Sequence, residues 1–458
     1  MDLIQEISIY ILQSGSLANF VLALSLIAFL ALLLAFGRRL QPAIQLERLG
    51  IPIALLAGLL GILLGPYGPI PLLPESVTKV WLDLPTPLLT LVFATLLLGR
   101  PLPRAEEIFR PLASQTLLGL VLGFGQYVVG GLVVLFVLAP QFGVDPLMGC
   151  LIEVGFEGGH GAAAVMAKSF NNFGFETGKD LGLAMATIGL LASTLFGSGL
   201  VVLARWRGWI YLDVSEENSL EDINELDDSF LIQLRQLLLN LAFIGTAVLI
   251  GIILLNLLHL TSAFFGDNYS QIINVFPVFP LALIGSLIVR MFIQEFRKTN
   301  LVSHILQREI STLATDVLIT TAMASINIPL LQKDWISLTA LSVSGLAWNL
   351  IVMLMMARYI FNTQWFERSI VEFGNATGVT ASGLLLLRLS DPNNKSGTLS
   401  IFSVKQLLLQ PLLSGGIITL FAPIAVESYG LIGWTEFCGV VTLIFIALAL
   451  FISTTSSK

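Results

Sequence analysis

Between Leu112 and Leu138 the chain carries no charged side chain. Wound as a helix at about 1.5 Å per residue, such a run exceeds the roughly 30 Å of hydrocarbon in a bilayer. Covering several surfaces of that kind takes more polar residues than this sequence has: of 458 residues, 55% are hydrophobic and 12% charged. The solvent the chain is built for is lipid. An all-α, polytopic membrane protein is therefore expected.

Comparable runs occupy Leu17–Phe36, Ile51–Leu64, Leu84–Leu98 and Leu181–Ala204 in the first half. The second half offers Leu231–Leu260, Ile272–Ile293, Ile310–Ile328, Ile336–Met356 and Leu399–Val426, with Leu431–Ile452 left over as an extra final span. Each half also holds a glycine-rich interruption within apolar surroundings. The first is EVGFEGGHGAAA (Glu153–Ala164) and the second EFGNATGVTAS (Glu372–Ser382). Glu372 lies 219 residues after Glu153, and that shift also lays Gly374 on Gly155, Gly378 on Gly159 and Ala381 on Ala162. The apolar runs of the two halves coincide under the same shift, so the chain reads as two copies of one plan.

Charge placement gives the relative orientation of the copies. Basic residues concentrate in cytoplasmic loops. With Arg38, Arg39 and Arg48 inside, the clusters Arg100/Arg104/Arg110, Arg205/Arg207 and Arg297/Lys298/Arg308 also fall inside only if the glycine stretch enters and leaves by one face. Arg358, Arg368, Arg388 and Lys395 then follow, and Lys79, Lys168, Lys179 and Lys333 remain outside. Each half has five crossings and one re-entrant hairpin, and an odd number of crossings inverts the second copy. The expected boundaries are 1–205 for the first repeat with its hairpin at 146–170, and 206–230 for an acidic cytoplasmic linker. The second repeat takes 231–426 with its hairpin at 365–388, and 427–458 is the extra helix. Inverted repeats with broken helices near the midplane are a common plan of secondary transporters.

Broken backbone at membrane depth survives where protein, water or ligand supplies hydrogen-bond partners. Gly155, Gly158, Gly159 and Gly161 are expected to free N–H groups that suit a carboxylate, and Ala162 is placed beside the last three at the substrate site. Around Gly374, the side chains of Asn375, Thr377 and Thr380 add oxygens; sodium is expected at Asn375, Thr377 and Gly378, because hard cations take oxygen ligands. His160 is a proton carrier or substrate donor, or a structural tie at the hairpin tip. Glu157, beside the break, is an ion- or proton-coupling candidate or a satisfied buried carboxylate. Glu153 and Glu372 stand nearer the hairpin entrances and are expected to face solvent. Asp316, among Thr312, Thr315 and Thr320, is a second coupling candidate or a helix fastener. Gln126 and Asn349, in corresponding spans, bind ions or join helices, and Gly119, Gly123, Gly130 and Gly131 permit close packing.

Other classes find little support in the sequence. The acidity behind the net charge of −7 sits largely in Val214–Asp228, and no basic patch suits a nucleic acid. Cys150 and Cys438 stand in apolar runs without disulfide or metal spacing. No nucleophile–base pair indicates an enzyme, and no cofactor is expected. Met1–Gln13 lacks the basic n-region of a removable signal; IQEISIYILQ reads as a surface-lying amphipathic helix or a plain lead-in.

The run DPLMGCLIEVGFEGGHGAAAVMAKSF (Asp145–Phe170) followed by GFETGKDLGLAMATIGLL resembles the bacterial sodium/glutamate symporters, in which DPLMG precedes a GGHGT motif and an ATxG helix. Phe93, Ala94, Thr95, Gln126 and the second-half FGNATGVTA (Phe373–Ala381) fit the same pattern. The resemblance implies a homodimer in the bacterial inner membrane, an elevator-type cycle, and sodium-driven uptake of glutamate. It assigns Gly158, Gly159, His160 and Gly161 to the first half of the site and Gly374, Thr377 and Thr380 to the second. Three residues depart from the pattern: Ala162 replaces Thr, Glu157 a small hydroxyl residue, and Val379 a Pro. The alternatives to such a symporter are a cation/proton exchanger using Glu157 and Asp316, and a transporter-derived receptor or channel that does not concentrate its ligand.

Overall fold

The apolar runs form helices because helix is the local structure that pairs a segment's own backbone groups when no water can. The computed structural model describes residues 28–39, 53–71, 80–81, 84–98, 105–210, 230–265, 277–295, 301–361, 363–391, 395–410 and 412–456. Among them there is no strand. The lead-in Met1–Gln13, the acidic stretch Val214–Asp228, and Arg48, Arg100, Arg104, Arg297 and Lys298 lie outside the described residues.

The first half comprises α1 (28–39), α2 (Ile53–Leu64), α3 (Pro85–Leu96) and α4 (Ala105–Val133). α4 runs on through a π-helical segment, Val134–Leu138, to Phe142, where Gly143 at φ 62° ends it. Short helices follow, α5 (Leu151–Gly155), α6 (Gly159–Val165) and α7 (Ala167–Asn172), then the long α8 (Gly178–Arg207). The second half holds α9 (Phe230–Phe265), α10 (Phe279–Glu295), α11 (His304–Ala324) and α12 (Trp335–Ile351), the last continuing through a π-helical segment, Val352–Met356. α13 (Trp365–Ser390), α14 (Thr398–Leu409) and α15 (Ile417–Ser456) complete the chain. Six helices among the described residues are long and apolar enough to cross a membrane.

Two of those six are not straight. In α13, Gly378 (φ −148°) and Val379 (φ 66°) leave the helical region, and the chain doubles back. A Cβ placed on Gly374 would sit 2.6 Å from the Cα of Gly383, nine positions on. A straight helix separates such residues by about 13 Å. In α15, Gly430 (φ 77°, ψ 159°) divides Ile417–Tyr429 from Leu431–Ser456, so the expected last span is a helix of its own. The expected span Leu399–Val426 needs correction. It is split between α14 and the start of α15, with Ser414 (φ 56°) and Gly415 (φ 89°) in the left-handed region. The run Ser414-Gly415-Gly416 interrupts the helix where the surrounding leucines concealed it.

α5 and α6 also reverse on each other. Along α8, Gly182 lies against both Val154 and Ala163, Met185 against Gly155, Thr187 against His160, and Gly189 against Phe156. One arm thus ascends α8 as the other descends, and the turn at 156–159 rests near Gly189. The reversal in α13 reaches the same helix from its other end, with Gly378 beside Leu190 and Ser193. α8 is the wall on which both turns sit.

Polarity is arranged as lipid requires. Phe136, Val202 and Leu443 are 74%, 66% and 67% exposed, whereas Gln126, Glu153, Asn349, Glu372, Thr377 and Lys405 have no exposed surface. Apolar side chains face outward as well as forming the core, while these polar ones are kept inside. Gly374→Val should force the two arms of α13 apart and lower stability by about 1–3 kcal/mol, the usual range for overpacking. Gly439 has open space around its Cα, so Gly439→Ala should leave the thermal midpoint unchanged or raise it. Melting of the two purified variants checks the pair.

Candidate functional site

Three breaks in the backbone come together: 156–159, 378–379 and 413–416. Gly159, at φ 69°, faces the Val379 side chain, and a Cβ on Gly415 would lie 3.1 Å from that of Ala162. Breaks leave N–H and C=O groups without helical partners. A continuous seam of buried polar side chains surrounds them.

The seam begins at Glu372 on the entering arm of α13. Its carboxylate accepts from Gln115 Nε2 (2.9 Å) and forms an ion pair with Lys405 Nζ (2.8 Å). Lys405 also donates to Gln406 Oε1 (3.0 Å), and Gln406 Nε2 donates to Asn375 Oδ1 (2.8 Å) and Thr380 Oγ1 (2.7 Å). Asn375 Nδ2 reaches Glu157 Oε1 at 3.5 Å, and Ser414 Oγ donates to the same oxygen at 3.1 Å. Ser414 N donates to Glu153 Oε1 (3.3 Å), as does Thr419 Oγ1 (2.8 Å), and the Tyr127 hydroxyl donates to Glu153 Oε2. Three carboxylates and one ammonium are thereby linked across α4, α5, α13, α14 and α15.

Glu153 and Glu372 are therefore not the solvent-facing residues expected from their distance to the breaks. Both are wholly buried. The hairpin entrances are lined by α4 and by the broken pair α14 and α15, which bring donors to each carboxylate. Room for this comes from glycine: a Cβ at Gly119 would meet Lys405 Nζ at 2.7 Å, and one at Gly123 would meet Glu157 Oε2 at 2.9 Å. The glycines of α4 do permit close approach, and at these two positions what approaches is a charged group.

Other expected residues divide into two sets. Gln126 Nε2 donates to Asn349 Oδ1 (3.2 Å) and to the Ala376 carbonyl (2.6 Å); Asn349 Nδ2 donates to that carbonyl (3.2 Å) and to Thr377 Oγ1 (3.0 Å). The amides join α4 to α12 and hold the last turn before the second break. His160 Nε2 lies 3.0 Å from Thr187 Oγ1, whose proton goes to the Leu183 carbonyl, so the ring nitrogen is the donor. That contact ties the first break to α8. Gly158 packs on Ala162, and Gly161 faces Leu89 and Leu318. Asp316 is not brought to the seam and lies half-buried on α11. The hydroxyls of Thr312, Thr315 and Thr320 donate to carbonyls one turn back on their own helix.

The oxygens expected to hold sodium are already engaged. Asn375 Oδ1 accepts from Gln406 and Thr380, Thr377 Oγ1 from Asn349, and the Gly378 carbonyl from Ser382. Glu157 Oε2 and Gln126 Oε1 are buried without a partner. Their owners contact the adjacent residues Asn375 and Ala376. Each of the two atoms is an oxygen without a donor, one of them a carboxylate oxygen, and oxygens are the ligands hard cations take.

Sequence reasoning passed over Lys405, Gln406, Gln115, Tyr127, Ser414 and Thr419. A signal for Lys405 existed, since it is the one charged residue between Leu399 and Val426. Tyr127→Phe removes a donor from the buried Glu153 and should cost about 1–3 kcal/mol. Thr442→Val, whose hydroxyl bonds only the Cys438 carbonyl of its own helix, should change stability by less than half as much when both are followed by thermal melting.

The model of the sodium/glutamate symporter family matches residues 20–364 of the chain. The match includes the first break with Glu153, Glu157 and His160, and it ends one residue before α13. No curated protein and no solved structure matches.

Proposed function

Because the chain belongs to the sodium/glutamate symporter family, we propose that it is a sodium-coupled secondary transporter of glutamate or a related small carboxylate, working by alternating access as a homodimer in the bacterial inner membrane. The observation that carries this reading is the meeting of three backbone breaks inside one buried polar seam, since unwound backbone at membrane depth suits a site for ions and polar solutes.

Several features support an inverted duplication with re-entrant hairpins. The turn at 156–159 approaches α8 along its first half and the turn at 378–379 from its second, so the two hairpins point at each other. The two π-helical segments also correspond: the second begins at Val352, one residue short of where the 219-residue shift puts the start of the first. Inverted repeats whose hairpins meet on α8 would give a carrier two related ways of packing, which an elevator-type cycle needs.

Substrate carboxylate and coupling ion would meet at the facing breaks. We assign the ion to Glu157 Oε2 and Gln126 Oε1, with Asn375, Thr377 and Gly378 free to join if their present donors turn away. A cation beside Glu157 would also relieve the repulsion this carboxylate otherwise exerts on an anionic substrate, several kcal/mol at close range in a poorly polarisable site. Thr377, Thr380 and the residues Gly158 to Ala162 would line the substrate's side.

Uptake of radiolabelled L-glutamate into proteoliposomes under an inward sodium gradient tests the reading. Accumulation should require sodium. Glu157→Ser should raise the half-saturating sodium concentration about tenfold, equivalent to about 1.4 kcal/mol of lost ion binding. Sodium-indifferent accumulation would refute the coupling. Absence of uptake by both proteins, with other small carboxylates tried as well, would refute the substrate class. Proton movement without any organic substrate would instead favour an exchanger centred on Glu157, whose unpartnered oxygen serves that chemistry equally.

A further inference from the structure

The halves hold equivalent carboxylates by different means. Glu153 is surrounded by neutral donors, from Tyr127, Thr419 and the backbone of Ser414. Glu372, its counterpart under the 219-residue shift, has a lysine. Among the described residues, Glu372 is the one seam carboxylate in an ion pair, and both partners are 0% exposed. The same shift sets Ala186 at the position of Lys405 and Thr187 at that of Gln406. A cation is supplied covalently in one half and not in the other.

The ammonium also sets the orientation of its neighbour. Gln406 presents its carbonyl oxygen to Lys405 Nζ (3.0 Å), which turns its NH₂ toward Asn375 Oδ1 (2.8 Å) and Thr380 Oγ1 (2.7 Å). Asn375 and Thr380 oxygens are thereby filled by N–H donors. Without the lysine, Glu372 Oε2 and Gln406 Oε1 would lose their cation, and the Gln406 amide would be free to rotate away from the other two oxygens.

We propose that Lys405 is a tethered cation: its ammonium permanently fills a position beside the second break that a monovalent metal ion would otherwise take, so Lys405 sets how many exchangeable ions the chain binds. The proposal rests on the cation-coupled reading above and adds to it. A buried pair that merely fastens helices would make a different prediction, because replacing both its members by neutral residues of similar size is often harmless while removing one leaves an uncompensated charge. A fastener gains no ligand when the lysine is lost. A tethered cation leaves behind an oxygen-lined site with a carboxylate, and sodium should enter it.

The experiment is equilibrium binding of radioactive sodium to the purified full-length protein, with thermal melting at increasing sodium concentration. Wild type is compared with Lys405→Ala, with Lys405→Gln as a second single variant, and with the double variant Glu372→Gln, Lys405→Met. The single variants should bind one more sodium per chain than wild type, and sodium should raise their melting midpoints more than it raises that of wild type. The double variant should bind the wild-type number. The proposal is overturned if neither single variant gains sodium, if the double variant gains as much as the singles, or if the single variants stay unfolded at every sodium concentration. Wild type binding no sodium while Lys405→Ala binds one would sink the sodium-symport reading and leave the tethered cation standing. Wild type binding sodium with no gain in the variants would do the reverse.

Discussion

A helix broken inside hydrocarbon exposes peptide groups that no water can reach, and the rest of this protein is arranged to meet that need. Three breaks at separate sites would each require their own set of partners. Gathered against one another, they share a single seam in which some residues serve two neighbours: Ser414 bonds Glu153 through its backbone N–H and Glu157 through its hydroxyl, and Gln406 joins Lys405 to Asn375. The seam carries more negative than positive groups when ionised. Burial of that excess is costly, so it calls for a cation or a proton from outside, which is the property an ion-coupled carrier needs.

Packing makes the seam continuous. α8 gives up side chains at Gly182 and Gly189, which let the two arms of the first hairpin lie close, and Gly189 lies next to the Thr377 carbonyl of the second. On the other side, α4 gives up bulk at Gly119 and Gly123 where Lys405 and Glu157 approach. Small residues here leave space for charge, and large ones close the ends: Tyr127 meets Trp434 edge-on at 5.4 Å between ring centroids, fixing the final helix over the donor of Glu153. Local sequence, packing and site chemistry are thus one problem in this molecule.

Much of this was legible in the sequence. Apolar runs such as Leu112–Leu138 gave helices because lipid leaves few alternatives, and the glycines of Glu153–Ala164 and Glu372–Ser382 marked the first two breaks. The third was hidden because Ser414-Gly415-Gly416 sits within a run whose average apolarity reads as one span. The burial of Glu153 and Glu372 was also illegible: distance along a hairpin does not say which helices close over its mouth. Lys405 failed as a signal for a related reason. A lone lysine in an apolar run usually marks a membrane boundary to which its long stem can reach, and only the approach of Gly119 and Glu372, distant in sequence, reveals that it points inward.

The final helix, Leu431–Ser456, bears through Trp434 on Tyr127, which donates to Glu153. Lys405 forms its ion pair with Glu372. If the two halves exchange roles in the proposed cycle, a carrier with matched halves would rest with equal ease facing either side of the membrane. Here one carboxylate is steadied by an aromatic buttress and the other by a built-in counter-ion, so in such a cycle the two orientations would differ in free energy before any ligand arrives. The empty carrier should therefore have a preferred side at rest, and its inward and outward rates need not match.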